Sequence, residues 1–223
     1  DHLQATPAQE GGRLMEVRKF VVTQVAENTY LIRQDDAPEA LLIDPGGEAP
    51  AILAEIENLG VTLKAILLTH THWDHIGAVA EVVRATGAPV YCPELETEFL
   101  KHPSSVFFPV DIEGYDADET LAGGEHLSLA GFEIDVVFTP GHSVGHVTYS
   151  LPQEDALFSG DVLFENSVGR TDLPGGDHQT LLDSIAGLFE RFADDVAVFP
   201  GHMGLTTLGR ERASNPFLQD LVK

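Results

Sequence analysis

From Met15 onward the chain alternates short apolar runs with turns rich in Gly, Pro and acid. Met15–Phe20, Thr29–Arg33 and Ala40–Asp44 read as strands, the last broken by Pro45-Gly46-Gly47. Pro50–Leu59 changes period, with Ile52, Leu53, Ile56 and Leu59 on one helical face. Ala65–Leu68 is a continuous apolar run, as a strand buried on both faces shows, and a helix is predicted from Ile76 through about Thr86. Val90-Tyr91 reads as a strand and Leu95–Leu100 as a short helix. Lys101–Glu119, rich in Pro, Phe and acid, reads as a surface loop near the site described below. Leu127–Leu129 and Phe132–Phe138 flank Ala130-Gly131 as a hairpin, and Val147–Leu151 and Ala156–Phe158 are further strands. Gln179–Phe192 carries Leu181, Leu182, Ile185, Leu188 and Phe189 on one helical face. Val196–Phe199 is a last buried strand, and Gly209–Val222 supplies one or two closing helices.

Strands mixed with helices, then strands, then helices again predict two sheets packed face to face, with helices on both outer faces. The 223 residues suit a single α/β (α+β) domain over residues 15–223, with residues 1–14 a disordered tail or an expression remnant. Composition changes this picture in one respect. Thirty-six acidic against 12 basic residues give a formal charge of −24, which repels phosphates and anionic headgroups, so neither nucleic acid nor membrane is expected as a partner. No stretch approaches the roughly 20 apolar residues of a membrane span. The single cysteine, Cys92, lies in a strand-like segment as a buried, inert thiol and is consistent with a reducing, cytoplasmic location. Oligomeric state is left open.

The chemistry concentrates directly after the Ala65–Leu68 run. Thr69-His70-Thr71-His72-Trp73-Asp74-His75 reads H-x-H-x-D-H at a strand-to-helix turn. Polar groups lose free energy on burial without partners, so this is poor core material; imidazoles and carboxylates are good ligands for zinc and similar ions. Three later fragments repeat the arrangement of an apolar strand, a glycine turn and a ligand type: Phe138-Thr139-Pro140-Gly141-His142, Phe158-Ser159-Gly160-Asp161 and Phe199-Pro200-Gly201-His202. Each alone is weak; the set favours a metal site over a solvated polar loop. Asp44 is either a turn residue or a brace behind the metal loop. The other five histidines (His2, His102, His126, His146 and His178) default to surface or structural roles, His146 being nearest the ligand set.

These motifs resemble the metallo-β-lactamase superfamily, over essentially Met15 to Phe217. The resemblance implies a four-layer αββα sandwich with two divalent ions, zinc first and iron or manganese as alternatives. It implies that His70, His72 and His142 hold one ion, that Asp74, His75 and His202 hold the other, and that Asp161 bridges them. The Asp74-His75 pair is similar to the hydrolase branches such as glyoxalase II, and the zinc β-lactamases differ at these positions, which disfavours antibiotic hydrolysis. Two +2 ions, Asp74, Asp161 and a bridging hydroxide sum to about +1, a centre suited to a substrate that gains negative charge as it reacts.

The stretches Gly160–Asp172 and Thr207–Phe217 are similar to short glyoxalase II-like thioester hydrolases. The expected substrate is therefore a small acyl thioester, S-lactoylglutathione or a related thiol ester. A thiolate of intrinsic pKa near ~8.5 leaves without a dedicated general acid. The expected attack is by the metal-bridging hydroxide, with Asp74 and Asp161 in the catalytic centre and the metals stabilising the oxyanion. Long glyoxalase II enzymes carry a C-terminal helical domain, whereas 21 residues follow His202 here, so the thiol carrier stays open. Arg170 is a candidate anion contact for such a carrier, or else an ion pair holding the Thr171-Asp172 loop. The alternative is a persulfide dioxygenase with a single iron on His70, His142 and Asp161. Lactonase and phosphodiesterase activities are less favoured, the latter because phosphate binding normally brings Lys and Arg.

Overall fold

The structure is a computed structural model describing residues 15–107, 109–219 and 221. The tail expected over 1–14, and Val222 at the end of the closing segment, lie outside the described residues. One six-stranded sheet holds, in spatial order, β1 (Met15–Val22), β2 (Glu27–Gln34), β3 (Glu39–Ile43), β4 (Thr62–Leu67), β5 (Val90–Pro93) and β6 (Glu119–Leu121). β1 to β3 run antiparallel, and β3 to β6 run parallel. Helices α1 (Ala49–Leu59), α2 (Trp73–Ile76), α3 (Val79–Thr86) and α4 (Thr97–Lys101) fall in its connections.

The second half builds another six-stranded sheet from β7 (His126–Leu129), β8 (Phe132–Phe138), β9 (Val147–Leu151), β10 (Ala156–Gly160), β13 (Ala197–Pro200) and β14 (Thr206–Thr207). Their spatial order is β14-β13-β10-β9-β8-β7. Between β10 and β13 come a small hairpin, β11 (Leu163–Phe164) with β12 (Ser167–Val168), and helix α5 (His178–Arg191); α6 (Leu208–Ser214) closes the fold.

Side-chain alternation creates four layers. In β4, Ala65 and Leu67 face the space between the sheets, while Ile66 and Leu68 face α1 and α3. This double burial is why the segment reads as an unbroken apolar run. In β10 and β13, Phe158 and Phe199 point inward, while Leu157 and Val198 pack with Leu181, Ile185 and Leu188 of α5. The chain is therefore an αββα sandwich, as its sequence implied. Asp177 caps α5 by accepting from the Thr180 amide at 2.8 Å. The hairpin at Ala130-Gly131 has φ of 51° and 81°, the two consecutive left-handed residues of a type I′ turn.

Two details differ from the sequence expectation, while the closing segment falls within it. The helix after the H-x-H-x-D-H motif is broken at Gly77-Ala78, so Asp74 and His75 already sit in a helical turn of their own. Gly77 packs so closely on the Gly46 carbonyl that a Cβ there would lie 2.3 Å from that oxygen. The closing segment forms one helix, α6, which ends before Asn215-Pro216 because a residue preceding proline avoids the helical region. The short strands β6, β11, β12 and β14 were not anticipated; two or three residues carry too little periodicity to be read.

Two tyrosines pin the layers together. Tyr30 donates its hydroxyl to the Pro200 carbonyl at 2.7 Å, and Tyr149 donates to the Leu68 carbonyl at 2.6 Å, each at the root of a ligand-bearing loop. Beneath them Phe158 stacks on Phe199, with centroids 4.8 Å apart, and meets the edge of Tyr30 at 5.4 Å. Phe158→Ala should cost about 3–5 kcal/mol in urea unfolding, because this rigid cluster cannot collapse into the cavity; a loss below ~1 kcal/mol would mean the inter-sheet core is not packed as described.

Candidate metal centre

Strand direction brings the candidate ligands to one edge. β3, β4 and β5 are parallel, so Asp44, the His70–His75 loop and Glu96 all leave the first sheet on the same side. β8 and β10 each run antiparallel to β9, and β13 is parallel to β10, so His142, Asp161 and His202 leave the second sheet together. The two edges are joined by backbone bonds: Val147 donates to the Thr69 carbonyl at 2.9 Å, and Asn28 donates to the Gly201 carbonyl at 2.7 Å.

All seven sequence-predicted ligand residues converge. One ligand atom from each of His70, His72 and His142 lies within 4.8 Å of the others, and the same holds for Asp74, His75 and His202. The Asp161 carboxylate lies between the groups. Its Oδ2 is 3.4 Å from His142 Nε2 and 3.5 Å from His202 Nε2, and its Oδ1 is 3.3 Å from His75 Nε2. Asp74 Oδ2 is 3.2 Å from His202 Nε2.

Hydrogen bonds behind the rings fix which nitrogen faces inward. His75 Nδ1 is 3.0 Å from Asp44 Oδ2 and donates to it, leaving Nε2 with a lone pair. His142 Nδ1 donates to the Arg170 carbonyl at 2.7 Å. Thr69 donates its hydroxyl to Asp44 Oδ2 at 2.6 Å, so its oxygen is an acceptor for His70 Nδ1 at 3.0 Å. The inward atoms His70 Nε2, His75 Nε2 and Asp161 Oδ1 are buried and have no hydrogen-bond partner. Lone pairs from imidazole and carboxylate held about this close repel each other unless a proton or a cation lies between them. The donor set of nitrogens and carboxylate oxygens fits zinc, iron or manganese.

The electrostatics agree. Burial pushes His70 well below its ordinary value, with His75 and His72 adding to the effect, so this ring is neutral and able to ligate. Burial and His142 likewise lower His72, to about 4. For Asp161 burial acts upward, but His75 and His202 outweigh it and hold the carboxyl well below the usual range. Burial alone would lower His75, yet Asp161 and Asp74 raise it well above its ordinary value; its Nε2 is where a proton and a metal ion would compete.

Asp44 takes the bracing role. Both its oxygens are occupied: Oδ1 accepts from the Thr69 amide at 2.7 Å, and Oδ2 serves Thr69 and His75. Gly46 makes that turn possible, since a Cβ there would lie 1.6 Å from the Asp74 carbonyl oxygen. His146 proves structural and wholly buried, accepting from the Asp161 amide at Nε2 (3.1 Å) with Nδ1 on Thr139 (3.0 Å). Cys92 is buried, and burial, Glu96 and Asp44 push its thiol far up, out of the nucleophilic range. Arg170 forms the ion pair with Asp172, Nε and Nη2 donating at 2.7 and 2.8 Å.

Sequence reading missed two carboxylates. Glu96 is buried and ties the two ligand loops together: it accepts from the Thr71 hydroxyl at 2.7 Å, the Ser143 hydroxyl at 2.6 Å and the Gly145 amide at 2.8 Å. Glu27 is buried behind His75, its Oε1 3.7 Å from His75 Nδ1. The partners of Glu96 lie 25 to 49 positions away, and His75 is as remote from Glu27, so no local spacing ties either to the site.

The model of the metallo-beta-lactamase superfamily matches residues 22–202. The chain belongs to this superfamily. Hydroxyacylglutathione hydrolase GloC of Haemophilus influenzae is 37% identical over 209 residues, which span 92% of this chain and 98% of that protein, so the glyoxalase II-like resemblance holds. Among solved structures, the BLEG-1 B3 metallo-beta-lactamase is 41% identical with a TM-score of 0.87, covering 91% of this chain and 99% of that one. A di-iron-bound form of TTHA1623 is 38% identical with a TM-score of 0.80, covering 90% and 99%.

Asp44→Asn removes the carboxylate that orients His75 while preserving shape. Metal affinity, measured by competition with a chelator, should fall about 10- to 100-fold with the circular dichroism spectrum unchanged. Unchanged affinity would show that Asp44 serves the turn alone.

Proposed function

We propose that this metallo-hydrolase cleaves a small acyl thioester at a dinuclear centre. His70, His72 and His142 would hold one divalent ion, and Asp74, His75 and His202 the other, with Asp161 shared. The observation that supports this most directly is the Asp161 carboxylate, 3.3–3.5 Å from ligand nitrogens of both groups. Zinc is the expected metal; the di-iron relative keeps iron open as the occupant.

Two bound ions would supply a water acidified to hydroxide near neutral pH and a Lewis acid for the carbonyl oxygen. The chain's own residues set the conditions for that chemistry. Asp44, Thr69 and the Arg170 carbonyl hold three imidazoles in the tautomer that presents Nε2. Glu96 fixes the spacing of the two loops, so the ligands need no reorganisation. Hydrolysis forms a C–O bond to water and breaks the C–S bond. One proton is lost from water and the thiolate leaves unassisted, so the absence of an assigned general acid is no obstacle. Asp74 is a ligand in this scheme and has no separate role as a base.

A second reading is β-lactam hydrolysis. The sequence disfavours it by its ligands, but the 41% identity to a B3 metallo-beta-lactamase brings it back among the substrates to assay.

Elemental analysis of protein purified without added metal should find about two equivalents per chain. Hydrolysis of whichever small acyl thioester is turned over fastest, S-lactoylglutathione among those assayed, should fall at least ~100-fold in His142→Ala, in Asp161→Asn and on chelation, with recovery in the wild type on adding metal. One equivalent of iron with oxygen uptake on a persulfide would replace this reading with the dioxygenase, and turnover of a chromogenic cephalosporin alone would replace it with the lactamase.

A further inference from the structure

The chemistry of the cleft above the metal centre bears on which thioester it admits. The cleft has a volume of about 410 Å³. Of the ten exposed large apolar side chains among the described residues, six line it: Val25, Phe99, Val106, Phe107, Val144 and Met203, each between 39% and 63% exposed. An exposed apolar patch is informative where a scatter of single residues is not, and on a chain of net charge −24 this cluster marks a binding surface.

Its polar complement points the same way. Histidines aside, Arg170 is the one basic side chain among the described lining residues. Its Nε and Nη2 are both given to the Asp172 carboxylate, and its guanidinium lies 4.9 Å over the Phe107 ring. The ion pair lowers Asp172 to about 2, so its carboxylate stays charged against the guanidinium at neutral pH. Arg170 is thereby shared with Asp172 and props an aromatic wall, its half-exposed guanidinium keeping further N–H donors. The acidic lining residues, Glu96, Asp74 and Asp161, are those of the candidate metal centre and its brace. A glutathione thioester would bring two carboxylates and one ammonium into this cleft, where the one guanidinium is already shared with Asp172 and the rest of the rim is apolar.

We infer that the substrate is a neutral thioester carrying an apolar chain on one side of the C–S bond, packed against Phe99, Val106 and Phe107, and that peptidyl carriers such as glutathione are poor substrates. This rests on the thioester-hydrolase reading and narrows it. Apolar burial is worth about fourfold per methylene, so the preference is measurable.

The test compares S-ethyl thioacetate with S-ethyl hexanethioate and S-hexyl thioacetate, which add four methylenes in the acyl and thiol halves respectively, and with S-lactoylglutathione. On metal-loaded protein, kcat/KM should rise at least about tenfold for one of the lengthened esters and exceed that for S-lactoylglutathione. Binding is read separately. The single tryptophan, Trp73, lines the cleft, so its fluorescence should report alkyl thioethers binding more tightly as the chain grows from ethyl to hexyl. In the Phe99→Ser/Phe107→Ser double variant, checked for folding by circular dichroism, the ratio of long to short ester should shrink at least fivefold. A flat chain-length dependence in both assays, or a preference for S-lactoylglutathione over both long esters, would overturn the inference and leave the hydrolase standing. If no thioester is turned over, the hydrolase reading fails, and the fluorescence titration still decides whether the cleft selects apolar chains.

Discussion

Asp161 is the point at which the two sheets meet chemically. Its carboxylate stands 3.3–3.5 Å from three imidazole nitrogens, one of them carried by the first sheet and two by the second. Two of these rings, and the neighbouring His70, are held from behind. His75 is bound by Asp44, His142 by the Arg170 carbonyl, and His70 by Thr69. Buried lone pairs aimed at one another cost free energy unless a proton or a metal ion lies between them. The buried carboxylates Asp44 and Glu96 each tie down part of this cluster, Asp44 through Thr69 and His75 and Glu96 through Thr71, Ser143 and Gly145.

This constraint explains why irregular backbone gathers at one edge. Asp44 lies in the left-handed region at φ 48°, and Gly46 is in backbone contact with Asp74, so the turn after β3 is pressed against the helical turn that carries Asp74 and His75. Strain of this kind persists only where surrounding packing holds it. Here the holding is done by the inter-sheet aromatic cluster of Tyr30, Phe158 and Phe199 and by the hydroxyls of Tyr30 and Tyr149. The core and the site are one mechanical unit.

Much of this convergence was legible in the sequence because the candidate ligands are local. His70, His72, Asp74 and His75 fall within six positions, and the later three each follow an apolar strand and a glycine, a pattern set by backbone geometry alone. The double-sided burial of Ala65–Leu68 could likewise be read from its composition. What could not be read is the support. Glu96 meets Ser143 across 47 positions and Asn28 meets the Met203 carbonyl across 175, distances at which sequence periodicity carries no information. The apolar rim was hidden for the same reason: Val25, Phe99, Phe107 and Met203 come from four separate segments that only the folded chain assembles.

In the arrangement proposed above, two ions share Asp161. Anomalous diffraction on crystals of the protein as purified, recorded across the zinc and iron edges, tests it most directly. Two anomalous peaks are expected roughly 3.5–4 Å apart, one among His70, His72 and His142 and the other among Asp74, His75 and His202, with the Asp161 carboxylate between them. A single peak, or two that do not flank Asp161, would contradict it.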